Sequence, residues 1–525
     1  VTNETSITDR YDVLVVGFGP AGAVAVGMLG ARGHSTLVVD RLTDIYDKPR
    51  AIAIDHEILR HFDNMGIVDQ VMPHVAPFTA SQHFGAKGQL IRRIDMVPEP
   101  YPLGYTPSMV FTQPPIEAAL RDHAEGFDCV TISLGVEMMD LDICKDEVIA
   151  TLKDASGETR KVAARYLIGC DGASSRVREL SGISLEDLVF DEPWLVIDVL
   201  VNDEGLAKLP QTSAQFCDPA RPASFIMGPK NHRRWEIMLL PGEDPRQMEK
   251  PENVWQLLSP WLTPEDGELW RAAAYRFHAL VADDWQRGRV LIAGDAAHQQ
   301  PPFIGQGMCQ GLRDVSNLIW RLDRILKGQS GEPLLSTYTQ ERKRHVETLT
   351  GKIKAIGQAI CERDPHAADA RDARILADGG GQPLVITRQD IVPPIEEGLI
   401  AAEGTPARGL LFPQPAIVEN GAIRLLDRFT GPTWRLVLDG RRLTQAEGDA
   451  LAVAIEGLTV VAIAPEGADA ADDTALREKD GVLAGWFERH GAIAALVRPD
   501  HYVFGAAANL DALRQQIQDL GARLI

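Results

Sequence analysis

VLVVGFGPAG, residues 13–22, reads as a strand that opens into a glycine turn. Four apolar residues at 13–16 suit a strand buried on both faces, and the Ala/Val/Met/Leu stretch at 21–29 predicts the helix that follows. Between them Gly17, Gly19 and Gly22 stand at the GxGxxG spacing, with Pro20 and Ala21 completing the helix start. Gly17 permits the tight turn, Gly19 lets backbone approach a pyrophosphate, and Gly22 allows the helix to pack closely. HSTLVVD at 34–40 then reads as a second strand ending in Asp40, where a carboxylate accepts hydrogen bonds from an adenosine ribose, with Arg41 next in the chain. A carboxylate there favours a free 2′-hydroxyl over a phosphate. The plain alternative is a βαβ turn without a ligand; strand, helix and acidic end together predict dinucleotide binding.

A second segment, RVLIAGDAAHQQPPFIGQG at 289–307, selects the dinucleotide. A flavin extended across a sheet needs a carboxylate for its ribityl hydroxyls and a helix N-terminus near its pyrimidine edge. Gly294 and Asp295 supply the first. Pro301, Pro302, Gly305, Gln306, Gly307 and Met308 form a loop feeding the helix MCQGLRDVSNLIWRLDRIL, whose backbone N–H groups can face the flavin N1/O2 region. Non-covalent FAD is therefore the expected cofactor. YLIGCDGASSRVREL at 166–180 is a third strand-turn-helix, carrying Asp171, Gly172 and Arg176.

These three fingerprints, in this order, resemble the class A flavoprotein aromatic hydroxylases of the p-hydroxybenzoate hydroxylase fold. PRAIAIDHEILR at 49–60, FTQPPIEAAL at 111–120, CDPARP at 217–222, MLLPGE at 238–243 and the C-terminal VRPDHYV extend the resemblance over essentially the full chain. It implies an α/β, GR2-type Rossmann-like FAD domain, an inserted, mostly antiparallel β substrate domain and a thioredoxin-like C-terminal domain. It also implies a monooxygenase that uses NADH or NADPH as a transient co-substrate and O2, and hydroxylates a phenolic ring through a flavin hydroperoxide. A 3-(3-hydroxyphenyl)propionate-like acid is the expected substrate, within aromatic catabolism. A polyketide or other phenol hydroxylase or epoxidase on the same scaffold is the alternative, and a flavin-binding sensor is the non-enzyme alternative. No WxWxIP-like segment points to a halogenase.

Composition agrees with a cytoplasmic enzyme. The 525 residues are enough for two or three domains, and 53 Lys plus Arg against 74 Asp plus Glu, net −21, oppose binding to nucleic acid or an anionic membrane. The six cysteines, at 129, 144, 170, 217, 309 and 361, show no CxxC and no metal-ligand spacing, so they read as reduced structural thiols, and no metal is expected. The first ten residues are polar, unlike a signal peptide, and no apolar run approaches the ~20 residues of a membrane span.

The chain divides into FAD-domain parts at 1–75 and 111–186, with an excursion toward the substrate domain at 76–110. The substrate β-sheet follows at 187–275, then a third FAD part with a helical connector at 276–394, and the thioredoxin-like domain at 395–525. The 76–110 excursion includes a Pro-rich stretch at 97–107, and a polar, Gly-containing stretch ends near Pro394. No cysteine lies beyond Cys361, so the last domain cannot exchange disulfides; packing or assembly is its expected role, in a homo-oligomer read as a dimer.

The resemblance puts Arg50 on the FAD, where its charge suits a pyrophosphate, and Gln113 beside the flavin. It gives Asp171 a part in flavin and nicotinamide binding, although a carboxylate in a turn also caps the next helix. Arg176 and Arg178 read as nicotinamide-phosphate contacts or a solvated helix face, and His298 as a packed residue beside the flavin loop. Related hydroxylases place the phenol-activating group at the position of Ile52. Asp55 and His56 follow as candidate catalytic residues, with a capped helix N-terminus as the plain reading. For the substrate, Arg221, Arg233 and Arg234 are the cations available to a carboxylate, with Trp235 and Pro301 as further pocket candidates.

Overall fold

The computed structural model describes residues 7–525 as a mixed α/β fold with several sheets. Residues 1–6, part of the polar start read above as unlike a signal peptide, lie outside the described residues.

The apolar run at 13–16 lies in the strand Ile7–Val16, between Thr159–Gly169 and Thr36–Asp40, parallel to both. Val290–Ile292 and Val130–Leu134 extend this parallel sheet on either side. Val13, Leu14 and Val15 are wholly inaccessible, as expected for a strand covered on both faces. The helix Pro20–Gly30 packs against Gln113–Glu125 and Gly307–Leu326.

A nine-stranded sheet stands beside it, in the order His298–Gln299, Gly267–Ala282, Leu185–Val201, His232–Met238, Ala223–Met227, Ser213–Phe216, Ser81–Phe84, Leu90–Asp95 and Leu384–Thr387. Two pairs, Ser213–Phe216 with Ser81–Phe84 and Leu90–Asp95 with Leu384–Thr387, are parallel and the rest antiparallel. Strand alternation gives it two different cores. On one face Trp194, Val196 and Met238 pack with Phe303, Ile304 and the helix Pro333–Ile360; on the other Leu195, Ile197 and Trp235 pack with Phe225 and the helix Pro251–Leu258.

Two features differ from the sequence reading. The boundary placed at residue 275 falls inside the 16-residue strand Gly267–Ala282. The polar stretch before Pro394 contains the helix Pro365–Asp378 and the edge strand Leu384–Thr387; four residues bounded by glycines and a proline carry too little pattern to show a strand that exists by pairing with distant Leu90–Asp95.

The C-terminal sheet runs Ala422–Leu425, Ala416–Glu419, Leu476–Glu478, Thr459–Pro465, Arg435–Asp439, Ala494–Val497, Val503–Ala507. One of its faces joins the apolar core of the first sheet; Trp434 meets Trp320 edge to face at 5.6 Å. Buried charges fasten the rest. Asp427 takes Arg60 at 2.6 Å and Arg435 at 2.6 Å, and Glu341 takes Arg498 at 2.7 Å and Arg321 at 2.6 Å, with all six side chains fully buried. All six cysteines are free, and no helix among the described residues is long and apolar enough to cross a membrane.

Candidate active site

The three glycine-containing turns meet at the carboxyl ends of the parallel strands. A Cβ on Gly17, whose φ is +97°, would stand 2.4 Å from the Cys170 carbonyl oxygen, so the first turn rests on the third. Gly22 packs on Gly17, with 1.9 Å between an added Cβ and the Gly17 carbonyl oxygen. Gly294 lies against Ala21 and Gly311, at 3.4 and 3.7 Å by the same measure. Gly19 and Gly307 differ: nothing lies within 4 Å of a Cβ added to either. Two helix N-termini thus present bare backbone with open space before it, an arrangement suited to a ligand's phosphates and polar edge.

Carboxylates and a cation stand close to these turns. Asp40 accepts from the N–H of Phe18 at 2.7 Å and of Leu42 at 2.8 Å, which ties the end of its strand to the glycine turn; Arg41 beside it is exposed. Gln113 spends its amide oxygen on backbone, accepting from Arg50 N–H at 3.2 Å and Ala51 N–H at 2.8 Å, while its amide nitrogen donates to Glu117 at 3.2 Å. Arg50 is exposed and lies over the Tyr46 ring at 4.6 Å. Asp295 keeps exposed surface but sits deep among protein atoms. Burial pushes its pKa above the ordinary range, with His298 and Arg50 pulling the other way. No protein hydrogen bond engages it among the described residues.

Other residues singled out in the sequence serve the scaffold. Asp171 accepts from Ser175 Oγ at 2.5 Å and from the N–H of Arg176 and Val177 at 2.7 and 3.0 Å, capping the helix Arg176–Leu180. Arg176 pairs with Glu179 and Arg178 donates to the Ala296 and Ala173 carbonyls. His298 meets Asp314 at 2.7 Å and stacks on Trp285. Asp314, missed in the sequence, organises the whole GDAAH turn: it also accepts from Gly294 N–H at 3.0 Å and Arg342 at 2.9 Å. The available signal was a charged pair, Arg313 and Asp314, inside a helix otherwise reading as core.

The flavin-loop residues follow one another at the second helix start. Pro301 is buried and Pro302 half-buried; Gly305 has φ +62° and presses on Ala53; Gln306 accepts from Arg313 at 2.8 Å; Gly307 and Met308 begin the helix.

The proposed base fares differently. Asp55 caps the helix His56–Asn64 through Ile58 N–H at 3.2 Å and pairs with Arg313, whose other contacts are Glu57 and Gln306. Burial raises its pKa, but Arg313 and the neighbouring charges outweigh that and leave it lowered. Burial holds His56 down to about 4, so its imidazole is neutral near pH 7. Both line a cavity of about 410 Å³ facing the C-terminal domain. Ile52 is buried and has no group to take a proton.

The substrate candidates also have protein partners. Trp235 points into the core on the sheet face opposite Arg234, packed on Phe225 and Trp261. Arg221 is committed to Glu243 at 2.6 Å and the Met238 carbonyl. Arg233 closes its own hairpin by donating to the carbonyls of Gly228, Lys230 and His232. Arg234 pairs with Asp198 at 2.7 Å and donates to the carbonyls of Arg50 and Pro49. This places its face of the sheet against the segment that carries Arg50.

The donor set fits FAD: bare backbone at Gly19 and Gly307, an unengaged carboxylate at Asp295 and a cation at Arg50. Comparison with known proteins agrees. A model of the FAD binding domain matches residues 10–352, and one of the HcaD C-terminal domain matches 409–523. The chain is 35% identical over 520 residues to a probable NADH-specific resorcinol 4-hydroxylase of Rhodococcus jostii, covering 97% of this chain and 94% of the relative. It is 32% identical over 522 residues to a 3-(3-hydroxy-phenyl)propionate/3-hydroxycinnamic acid hydroxylase of Burkholderia cenocepacia, covering 96% and 94%. The fold is shared with the flavin-dependent monooxygenase PieE, solved with FAD and substrate (TM-score 0.83, 21% identity, 99% and 100% covered). It is shared too with aklavinone-11 hydroxylase, solved with FAD and aklavinone (TM-score 0.79, 23% identity, 99% and 100% covered).

Proposed function

The chain belongs to the FAD binding domain family and is an FAD-dependent aromatic hydroxylase, and from that premise we propose that it hydroxylates a single-ring phenol bearing a second substituent meta to the hydroxyl. The names of the two relatives share that ring pattern: resorcinol carries a second hydroxyl there and 3-(3-hydroxyphenyl)propionate a carbon chain. NADH or NADPH is the electron donor.

The observation that carries the reading is the mutual contact of the three turns, Gly17 on Cys170 and Gly294 on Ala21, with Asp295 left unengaged between them. In this reading Asp40 holds the adenosine ribose, Arg50 the pyrophosphate and Asp295 the ribityl hydroxyls, while the N–H groups at Gly307 and Met308 face the pyrimidine edge. When bound, FAD reduced by the nicotinamide supplies activation of O2 and transfer of one oxygen atom to an electron-rich ring. The protein orients that ring and keeps water out. Trp194 stacks on Phe277 at 5.5 Å, and Phe303 meets both edge to face at 5.6 and 5.9 Å, forming an apolar wall beside the flavin loop.

The strand order Thr459–Pro465, Arg435–Asp439, Ala494–Val497, Val503–Ala507, one parallel pair followed by two antiparallel pairs and a closing helix, supports a thioredoxin-like reading of the C-terminal unit. Lacking cysteine, it acts here in packing.

The test is to purify the protein, measure its flavin content, and follow NAD(P)H oxidation and O2 uptake with a panel of phenols. Asp295→Ala should lower FAD occupancy. Full occupancy with unchanged affinity removes the ribityl assignment, and a flavoprotein that no phenol stimulates removes the hydroxylase reading.

A further inference from the structure

The sheet face that meets the Arg50 segment offers a substrate an acid, and its nearest cations are already engaged. Alternation along His232–Met238 puts Arg234, Glu236 and Met238 on this face. Arg234 touches the Pro49 and Arg50 carbonyls at one end, and Met238 packs in the cluster of Phe303 and Ile304 at the other. Glu236 lies between them, opposite Val196 on one neighbouring strand and Ser224 on the other. It is 5% exposed, and no hydrogen bond or ion pair engages it among the described residues.

An unpartnered buried carboxyl is costly and calls for a ligand or a reason. Its immediate neighbours supply none. Ser224 gives its hydroxyl to Gln215. Arg234 and His232 are spent on Asp198, and Arg271 on Asp198, the Pro49 carbonyl and Tyr275. Burial pushes the Glu236 carboxyl up to about 7; Arg234 opposes this and Asp198 adds to it.

We infer that Glu236 accepts a hydrogen bond from a second hydroxyl on the substrate ring, so that the preferred substrate is an uncharged dihydroxybenzene of the resorcinol class rather than a phenolic acid. This rests on the hydroxylase reading and specifies it. A propionate arm at this position would bring a second carboxyl group against Glu236, and one of the two would have to hold a proton, with Arg234 already neutralised by Asp198. The remaining cations do not correct that. Arg92 shares the row of Glu236 but lies four strands away, roughly 19 Å at ordinary strand spacing. Arg388 is fixed at the flavin loop, donating to the Ile304 carbonyl and lying over Phe78 at 4.9 Å.

The experiment compares resorcinol with 3-(3-hydroxyphenyl)propionate in FAD-loaded wild type, Glu236→Gln and Arg388→Met, reading kcat/KM for product formation, flavin content and thermal midpoint. Wild type should prefer resorcinol. Glu236→Gln, folded and FAD-loaded, should lose about tenfold or more on resorcinol while holding or gaining on the acid, because a site built to bond a hydroxyl discriminates strongly. A merely structural effect would lower both substrates together and leave their ratio unchanged, which overturns the inference. So does a wild-type preference for the acid, most plainly one that Arg388→Met abolishes, or an absence of turnover with either compound. If another phenol is then hydroxylated, the hydroxylase reading stands without this specificity; if none stimulates NAD(P)H oxidation, that reading has failed as well.

Discussion

Asp198 and Arg234 face each other on adjacent antiparallel strands in a fully buried ion pair at 2.7 Å, and the free N–H groups of Arg234 hold the carbonyls of Pro49 and Arg50. One pair thus couples the substrate-side sheet to the segment proposed to hold the FAD pyrophosphate.

Asp198→Asn removes the counter-charge of Arg234 and weakens the neighbouring Arg271. Uncompensated buried charge costs about 3–5 kcal/mol. Denaturant unfolding should show a loss of that order, and titration of the apoprotein with FAD should show weaker binding as the 49–50 segment loosens. Unchanged FAD affinity in a folded variant breaks the proposed coupling.

Asp427→Asn tests the role of the C-terminal unit. Asp427 neutralises Arg60 from the first domain and Arg435 from its own sheet. The expected loss is again about 3–5 kcal/mol, with early proteolytic release of the segment beyond residue 395 and unaltered flavin reduction in the intact protein. A selective loss of flavin reduction, with stability preserved, contradicts a packing role.

A pH series separates Glu236 from its neighbours. With its folded pKa raised to about 7 from 4.5, the folded protein keeps a proton that the unfolded chain releases, so stability is greatest below about 4.5 and falls as pH rises to about 7. The 2.5-unit shift corresponds to about 3 kcal/mol. Arg234, Asp198, Arg271, His232 and Tyr275 share this face and are all retained in Glu236→Gln, in which Arg234 loses only the pull of the Glu236 charge. The difference between the two proteins should therefore carry the slope, with the variant relatively more stable at pH 8 than at pH 5. Parallel pH curves contradict the raised pKa.

Much of this was legible in the sequence because it rests on local pattern. The glycine spacing, the run at 13–16 and the GDAAH turn report backbone geometry that each segment determines largely for itself. The site's polar details required tertiary structure. Asp55 read as either base or cap, and only the distant Arg313 shows the carboxylate committed. WEIM at 235–238 shows that Trp235 and Glu236 point to opposite faces, but not which face meets Arg50, which only the contact of Arg234 with the Pro49 and Arg50 carbonyls shows. Asp314 and Arg342 lie 28 residues apart and became a pair only when two long helices packed.

Gly305→Val addresses coupling. The position has φ +62°, and a Cβ there would lie 2.7 Å from the Ala53 Cβ, so a β-branched side chain both strains the backbone and displaces the flavin loop. The folded, FAD-loaded variant should form less hydroxylated product and more hydrogen peroxide per NAD(P)H consumed. Wild-type coupling would remove this loop from the mechanism.

The most direct measurement of the central claim is turnover of a phenol, resorcinol first, under labelled dioxygen. The account expects one labelled oxygen atom in the hydroxylated ring, one NAD(P)H oxidised per product, and little NAD(P)H oxidation without the phenol. Product oxygen derived from water, or NAD(P)H oxidation that no phenol alters, would contradict it.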